Sequence, residues 1–328
     1  MTSTPSDLLH VDARPVPVPA HLSAHAQGFL GLGRLESPPP PPLDDLDAWR
    51  AWIAVGESII ADVLRAQTAD APVSVTELDV DGVTIYDLVP HGFDDEDRRV
   101  ALEIHGGGLV GGAGENCKGM GILTARRFGV RVWAVDYRMP PDHPFPAGLD
   151  DCLAAYRALL RDHEPGDVVV SGTSAGGNLA AALVLRARDE GLPLPAAAIL
   201  MTPELDLAET GDSFQTNLGV DTVLTASLMP ANLLYADGHD LMDPYVSPLY
   251  GDFDKGFPPT FLSAGTRDLF LSNAVRMHRS LRNAGVTAEL HVIEAAPHSG
   301  FGGAPEDLEI DREAMAFAAR HWNQRSAG

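Results

Sequence analysis

The stretch Asp167-Val168-Val169-Val170-Ser171-Gly172-Thr173-Ser174-Ala175-Gly176 joins a run of valines to a serine set between two glycines, and an alanine-rich segment follows it. Valines suit a buried strand and alanines suit a helix. A serine at such a junction reads as a nucleophile elbow. There the backbone turns so sharply that only residues without bulky side chains fit two positions either side of the serine. The strained turn lifts the hydroxyl clear of the sheet, and the helix N-terminus beneath it favours developing negative charge. The pentapeptide alone also fits an ordinary strand-to-helix turn with no chemistry.

A second glycine cluster lies upstream. Val100-Ala101-Leu102-Glu103-Ile104 reads as a strand and runs straight into His105-Gly106-Gly107-Gly108. Acyl transfer builds charge on a carbonyl oxygen, and backbone N–H groups aimed at that oxygen lower the barrier by a few kcal/mol each. Glycines let the main chain come close enough to donate. The same residues also fit a dinucleotide fingerprint, Gly106-x-Gly108-x-x-Gly111, with Asp136 at the end of a later strand as the ribose ligand. Against that reading, Asp136 leads into Tyr137-Arg138-Met139-Pro140-Pro141, and the serine elbow would have no purpose.

At 328 residues with a hydrophobic fraction of 45 %, the chain can bury one large α/β core and a lid. It contains no run of about 18 apolar residues, so no membrane span is expected. The start, Met1 to Asp7, lacks the basic and apolar regions of a signal peptide. Cys117 and Cys152 do not make a disulfide framework and read as cytoplasmic free thiols. A net charge of −23 opposes binding to nucleic acid or anionic membrane.

Residues 1 to about 45 are proline-rich, ending in Pro38 to Pro42, and read as an arm without a regular core. Helical spacing of Leu46, Trp49, Trp52, Ile53, Ile59, Ile60 and Val63 predicts a helix within 44–70. Strands are predicted at 73–80, 83–89, 100–104, 130–135, 168–170, 196–201, 260–264 and 288–293. Helices are predicted near 118–128, 148–162, 175–190, 272–284 and 306–322. Such alternation implies an α/β fold, with a mostly parallel sheet covered on both faces. The first two strands, joined by Asp81-Gly82, read as an antiparallel hairpin.

Open α/β sheets bind ligands at the carboxyl ends of their strands, which filters the remaining catalytic candidates. Asp268 follows the strand at 260–264, and His298 follows the strand at 288–293. The order is therefore Ser174, Asp268, His298. His10, His21, His25 and His91 lie in the arm or a loop, His278 and His321 fall inside helices, and His105 reads as a brace for the glycine loop. The alternative for Asp268 is to cap the helix that follows it, and Glu294 is a second carboxylate near the base in sequence. No cluster has metal-ligand spacing, and His239 among Asp237, Asp240 and Asp243 reads as a polar loop.

These residues resemble the hormone-sensitive-lipase-like serine esterases of the α/β-hydrolase fold, over roughly residues 70 to 325. The resemblance rests on His105-Gly106-Gly107-Gly108, on Asp136-Tyr137-Arg138 continuing to His143-Pro144-Phe145-Pro146-Ala147, on the elbow, and on Ser247-Pro248-Leu249. Thr173 before the serine is similar to the GTSAG subgroup rather than the GDSAG one. The resemblance implies Ser174 as nucleophile, His298 as base, Asp268 as its orienter, and oxyanion-hole amides at Gly107, Gly108 and Ala175. It implies an eight-stranded core at 71–204 and 244–328, with a helical cap from residues 1–70 and an insertion at 205–243. Three departures stand out: Leu109 replaces an aromatic residue, Leu269-Phe270 follows the acid, and Ser299 intervenes between His298 and Gly300.

The function so implied is hydrolysis of short- to medium-chain carboxylic esters through an acyl-enzyme, with no cofactor and no metal. The same groups would serve a lactone, amide or carbamate hydrolase. A non-catalytic ligand-binding homologue, as the plant gibberellin receptors are, would lack the histidine that this chain retains. The expected partner is a small-molecule ester, and a homodimer is left open. Trp49, Trp52, Leu218, Leu224, Leu228 and Leu233 are candidates to line the pocket or to be plain core.

Overall fold

Runs of β-branched residues become interior strands where helices cover both of their faces, and here the cover is nearly continuous. The computed structural model describes residues 13–35, 38–94 and 96–322. His10 and the rest of the expected arm up to residue 12 lie outside them. The strands are β1 (Val73–Val80), β2 (Val83–Pro90), β3 (Val100–Ile104), β4 (Arg131–Asp136), β5 (Val168–Thr173), β6 (Ala197–Met201), β7 (Thr260–Gly265) and β8 (Ala288–Ile293). They form one sheet in the order β1-β2-β4-β3-β5-β6-β7-β8. Among the described strands, β2 alone runs opposite to the others. Asp81 (φ 54°) and Gly82 (φ 86°) make the hairpin turn, and both need the left-handed region.

The helices are α1 (Ala24–Gly31), α2 (Leu46–Thr68), α3 (Glu115–Phe128), α4 (Ala147–Asp162), α5 (Ala175–Asp189), α6 (Ser213–Thr216), α7 (Met229–Ala236), α8 (Leu271–Asn283) and α9 (Pro305–His321). The two-residue period of the strands sorts them into layers. Leu102, Ile104, Val168 and Val170 face α4, α5 and α8, through Leu149, Tyr156, Leu179 and Met277. Ala101, Val132, Val169 and Phe261 face α3 and α9, through Cys117, Phe128 and Phe317. The dinucleotide reading fails here: the glycine loop does not open a helix, since α3 begins only at Glu115 after Gly114.

The proline-rich arm differs from its sequence reading. It contains α1, capped by the Ser23 hydroxyl accepting from Ala26 N at 3.2 Å. Leu22, Ala26 and Leu30 pack on Ala295, Ala296, Phe301 and Ala304, beside His298. A helix of eight residues is too short to persist alone, so its formation depends on this docking. Ser23 adds two bonds to Glu306 of α9, at 2.7 and 2.8 Å.

Trp49 of α2 is fully buried against Val110, Ala231 and Leu234, which brings α2, the glycine loop and α7 together. The carbonyls of Pro42 and Pro38 accept the indole N–H groups of Trp49 and Trp52. On the far face of α2, Val55, Ile59 and Val63 are 58, 62 and 53 % exposed. Spacing reports which residues share a helix face, not whether anything covers that face.

Segment 205–243 is rooted in the core at both ends. Leu205, Leu207, Tyr235 and Ala236 belong to the main core. Arg276 of α8 pairs with the buried Asp206 at 2.7 Å. The Ser247 hydroxyl accepts Leu207 N at 2.8 Å, and Leu249 N donates to Leu205 O at 3.1 Å. This is the physical work of the Ser247-Pro248-Leu249 motif.

Truncating Trp49 to alanine removes a fully buried indole and should cost about 3–5 kcal/mol of unfolding free energy in a urea titration. Ile59→Ala, on the open face of the same helix, should change it by less than about 0.5 kcal/mol.

Candidate active site

Ser174 holds φ 58° and ψ −123°, a strained conformation at the junction of β5 and α5. Its neighbours explain why glycine is needed. A Cβ on Gly172 would come within 2.2 Å of Gly176 O, and one on Gly176 within 1.9 Å of Ile104 O. The Ser174 amide donates to Met201 O at 2.9 Å, and its carbonyl accepts Gly177 N and Glu204 N at 2.9 and 3.1 Å. The turn is thus fixed on three sides.

The glycine loop leans directly on this turn. A Cβ on Gly106 would meet Thr173 O at 2.8 Å and Ser174 Cβ at 3.3 Å. Gly107 (φ 135°) leaves no room either, since its Cβ would lie 2.0 Å from Gly111 O. His105 Nδ1–H donates to Gly106 O at 2.9 Å, and its ring stacks on Tyr137 at 4.0 Å. Burial pushes the His105 pKa down to about 4, outweighing the opposing effect of the Gly106 bond, so the imidazole stays neutral. The Tyr137 hydroxyl donates to His105 O at 2.9 Å, and Asp136 accepts Gly114 N at 3.0 Å. From α2, the Glu57 carboxylate accepts Gly112 N and the Asn116 amide. Leu109 (φ 62°) is buried in the main core.

Ser174, His298 and Asp268 come together although 124 residues separate the first two. The Ser174 hydroxyl donates to His298 Nε2 at 2.9 Å, and His298 Nδ1–H donates to Asp268 Oδ1 at 3.1 Å. Asp268 is fully buried and also accepts Phe270 N at 2.8 Å. It does not cap α8, whose capping position is Phe270. Leu269 and Phe270 pack on Phe214, and the Phe270 ring meets His298 edge-on at 4.8 Å. The inserted Ser299 takes φ 62° and Gly300 φ 83°, so a tight turn absorbs the extra residue. Glu294 points outward and pairs with His21 at 3.2 Å, away from His298. Burial alone would lower the His298 pKa. The Asp268 charge and hydrogen bond and the Asp221 charge together raise it above the ordinary imidazole value, with Glu204 adding to the rise where it is ionised.

Three acidic residues at the site were not found in the sequence. Glu57 acts from a helix that spacing alone could not attach to the glycine loop. Asp221 is a lone aspartate in the insertion, with no signal in its neighbours. Glu204 follows β6, so the strand-end filter reaches it. It is fully buried, and neither carboxylate oxygen has a hydrogen-bond partner. Asn232 lies alongside it but gives its amide to Leu207 O. Burial pushes the Glu204 pKa up to about 8, with the Glu209 charge adding to the rise.

Of the candidate lining residues, Trp49 is buried under α7, while Leu224 and Leu228 pack against Phe214 and Phe270. Leu218 and Leu233 are 47 and 40 % exposed. A cavity of about 740 Å³ opens behind the elbow between α3 and α9, lined among others by Thr173, Met201, Ser263 and Ser299. Ser174, Asp268 and His298 do not line it. Sequence spacing showed no metal set, yet among the described residues the donor atoms of His105, Cys117 and Asp136 lie within 4.8 Å of one another. Burial raises the Cys117 thiol well above its usual range and so favours its protonated form. His239 packs instead on the Phe145 ring at 4.9 Å.

Glu204→Gln should test the buried acid. With a folded pKa near 8 against an ordinary 4.5, Glu204 keeps a proton on folding that the unfolded chain has lost, so stability falls as pH rises between those values. The glutamine variant should therefore gain in melting temperature over the parent at pH 8, and the gain should shrink toward pH 5.

Residues 101–301 match a family of the α/β hydrolase fold. The chain is 36 % identical over 192 residues to an acetyl-hydrolase of Streptomyces hygroscopicus, an alignment covering 58 % of this chain and 64 % of that protein. The chain thus spans just under two thirds of that curated relative. Among solved structures, esterase E25 superposes with a TM-score of 0.87 at 36 % identity, covering 97 % of this chain and 100 % of that one. An esterase from the bacterial hormone-sensitive lipase family superposes with a TM-score of 0.80 at 31 % identity, covering 92 and 99 %.

Proposed function

The chain belongs to the α/β-hydrolase fold family, within which it resembles the bacterial hormone-sensitive-lipase-like esterases, and from that premise we propose that it is a serine carboxylesterase. The observation that carries the proposal is His298 set between Ser174 Oγ at 2.9 Å and Asp268 at 3.1 Å. Neutral His298 takes the Ser174 proton as the hydroxyl oxygen bonds to the ester carbonyl carbon. Asp268 holds the ring in the tautomer that leaves Nε2 free and stabilises the imidazolium. Charge on the tetrahedral oxygen is met by the N–H groups of Gly107, Gly108 and Ala175, the last at the N-terminus of α5. The oxygen pair then re-forms the carbonyl, and His298 returns the proton to the departing alcohol. Water repeats the attack on the acyl-enzyme, giving the acid and free Ser174.

Short- to medium-chain acyl groups are the proposed substrates, with a cap of residues 1–70 and 205–243 over the core. The packing of α1 on the base loop and of α2 and α7 around Trp49 supports that division. No helix among the described residues is long and apolar enough to cross a membrane. Two finer readings go with the proposal. The free, buried Cys117 and Cys152 support a cytoplasmic setting, and the open apolar face of α2 supports a homodimer, to be decided by sedimentation.

The purified chain should hydrolyse short p-nitrophenyl esters, and a fluorophosphonate should label Ser174. Ser174→Ala and His298→Ala should each lose at least about ten-thousand-fold in kcat. Labelling at any other residue, or full turnover by His298→Ala, defeats the reading. Because the base must be neutral and its pKa is raised, kcat/KM should climb with pH along a limb centred above the ordinary imidazole value of 6.5.

A further inference from the structure

We infer that Asp221 is a positioning residue for the proposed triad, a carboxylate from the segment after β6 that locks the acid loop and the base loop to each other. The inference rests on the esterase reading above. Asp221 is fully buried. Its Oδ2 accepts Leu269 N at 2.9 Å, and both of its oxygens meet His298 N at 3.3 Å. Leu269 directly follows Asp268. One carboxylate therefore holds the backbone of the base itself and the backbone next to the acid.

The same carboxylate is anchored in its own turn, where Oδ1 accepts Val223 N at 2.9 Å and Leu224 N at 3.1 Å. One turn earlier, Asn217 Nδ2 donates to Asp268 O at 2.8 Å and to Thr266 O at 3.2 Å. Thr222 O in turn accepts Leu35 N of the arm at 2.8 Å. Segment 217–224 is thus bolted to the acid loop on one side and to the N-terminal arm on the other. The three donors on Leu269, Val223 and Leu224 and the one on His298 would otherwise be shielded from water without this partner, which is costly.

Asp221 also acts through its charge. Burial raises its pKa, with the Asp268 charge adding to the rise, while His298 and the donated N–H groups oppose it. A buried anion beside a second carboxylate is tolerable only where positive charge or several donors offset it. Forming the His298 imidazolium supplies that charge. The acids facing His298 are Asp268, Asp221 and Glu204, and burial keeps Glu204 protonated at neutral pH. Asp221 therefore shares with Asp268 the field that stabilises the imidazolium, while leaving the direct Nδ1 bond to Asp268.

The test uses the full chain and a short p-nitrophenyl ester, comparing wild type with Asp221→Asn and Asp221→Glu. Rates are expressed per active site titrated with a fluorophosphonate, so a partly folded preparation is read on its competent fraction. Asp221→Asn keeps the size, removes the charge and turns an N–H toward the two backbone donors. Its kcat should fall about 10- to 100-fold through misplacement of the base and acid. KM should stay within about twofold of wild type. The acid limb of its pH profile should move to lower pH, because one of the charges raising the His298 pKa is gone. Asp221→Glu misplaces the loops but keeps the charge, so kcat should fall with the limb near its wild-type position. An Asn variant with unchanged kcat per site, or with a limb that does not move, overturns the inference, as does a Glu variant whose limb moves as far. A wild-type chain that turns over no ester overturns the esterase reading instead.

Discussion

Two backbone strands meet so closely at the elbow that no side chain fits between them. Gly176 lies against the carbonyl of Ile104, and Gly106 lies against the carbonyl of Thr173. The carboxyl ends of β3 and β5 are thereby pressed together, with Ser174 on one and the glycine loop on the other. The left-handed backbone of Ser174 persists because its amide and carbonyl are bonded to Met201, Gly177 and Glu204. Strain of this kind costs on the order of 1–3 kcal/mol and survives only where surrounding structure over-determines it. The large alanine-rich contact of α5 with the sheet provides that surround.

Around this contact the protein buries more carboxylates than a triad requires. Asp268 is matched by the imidazole, Asp221 by backbone donors, and Glu204 by neither. In this low-dielectric setting burial pushes the Glu204 pKa up to about 8, since no donor offsets its loss of water. The glycine loop is held in part by uncharged groups. His105 is kept neutral by burial, and Tyr137 holds it by stacking and by one hydrogen bond. Two carboxylates also hold that loop: Glu57 of α2 accepts Gly112 N, and Asp136 at the end of β4 accepts Gly114 N.

Much of this was legible along the chain because strands and their ends are local. All eight strands, the Asp81-Gly82 hairpin and the helices α2, α3, α4, α5, α8 and α9 follow from apolar period and turn residues. Ser174, Asp268 and His298 could be picked out because each stands just past a strand, where an open sheet gathers its functional residues. The three departures at Leu109, Leu269-Phe270 and Ser299 were visible too, but their consequences were not. Leu109 turns into the core, Phe270 lies on the His298 ring, and Ser299 bends its loop. Whether a side chain points inward depends on which neighbours the fold brings, and those lie far away in sequence.

The arm and the insertion mark the boundary most clearly. Helix α1 has too few residues to hold itself, and α6 and α7 are similarly short, so none of them leaves a periodic pattern strong enough to read. They form because Phe301, Trp49 and the acid loop offer surfaces to dock on. Asp221 and Glu57 acquire meaning only there, since a carboxylate is a surface charge until a fold removes its water and supplies its donors. The amino-acid sequence by itself determined the sheet, the elbow and the placing of Ser174, Asp268 and His298 past the strand ends, because those depend on residue type and spacing within short segments. The tertiary structure alone decided which further acids face the imidazole and which segments cover the site, because those depend on contacts between parts of the chain that no local pattern connects.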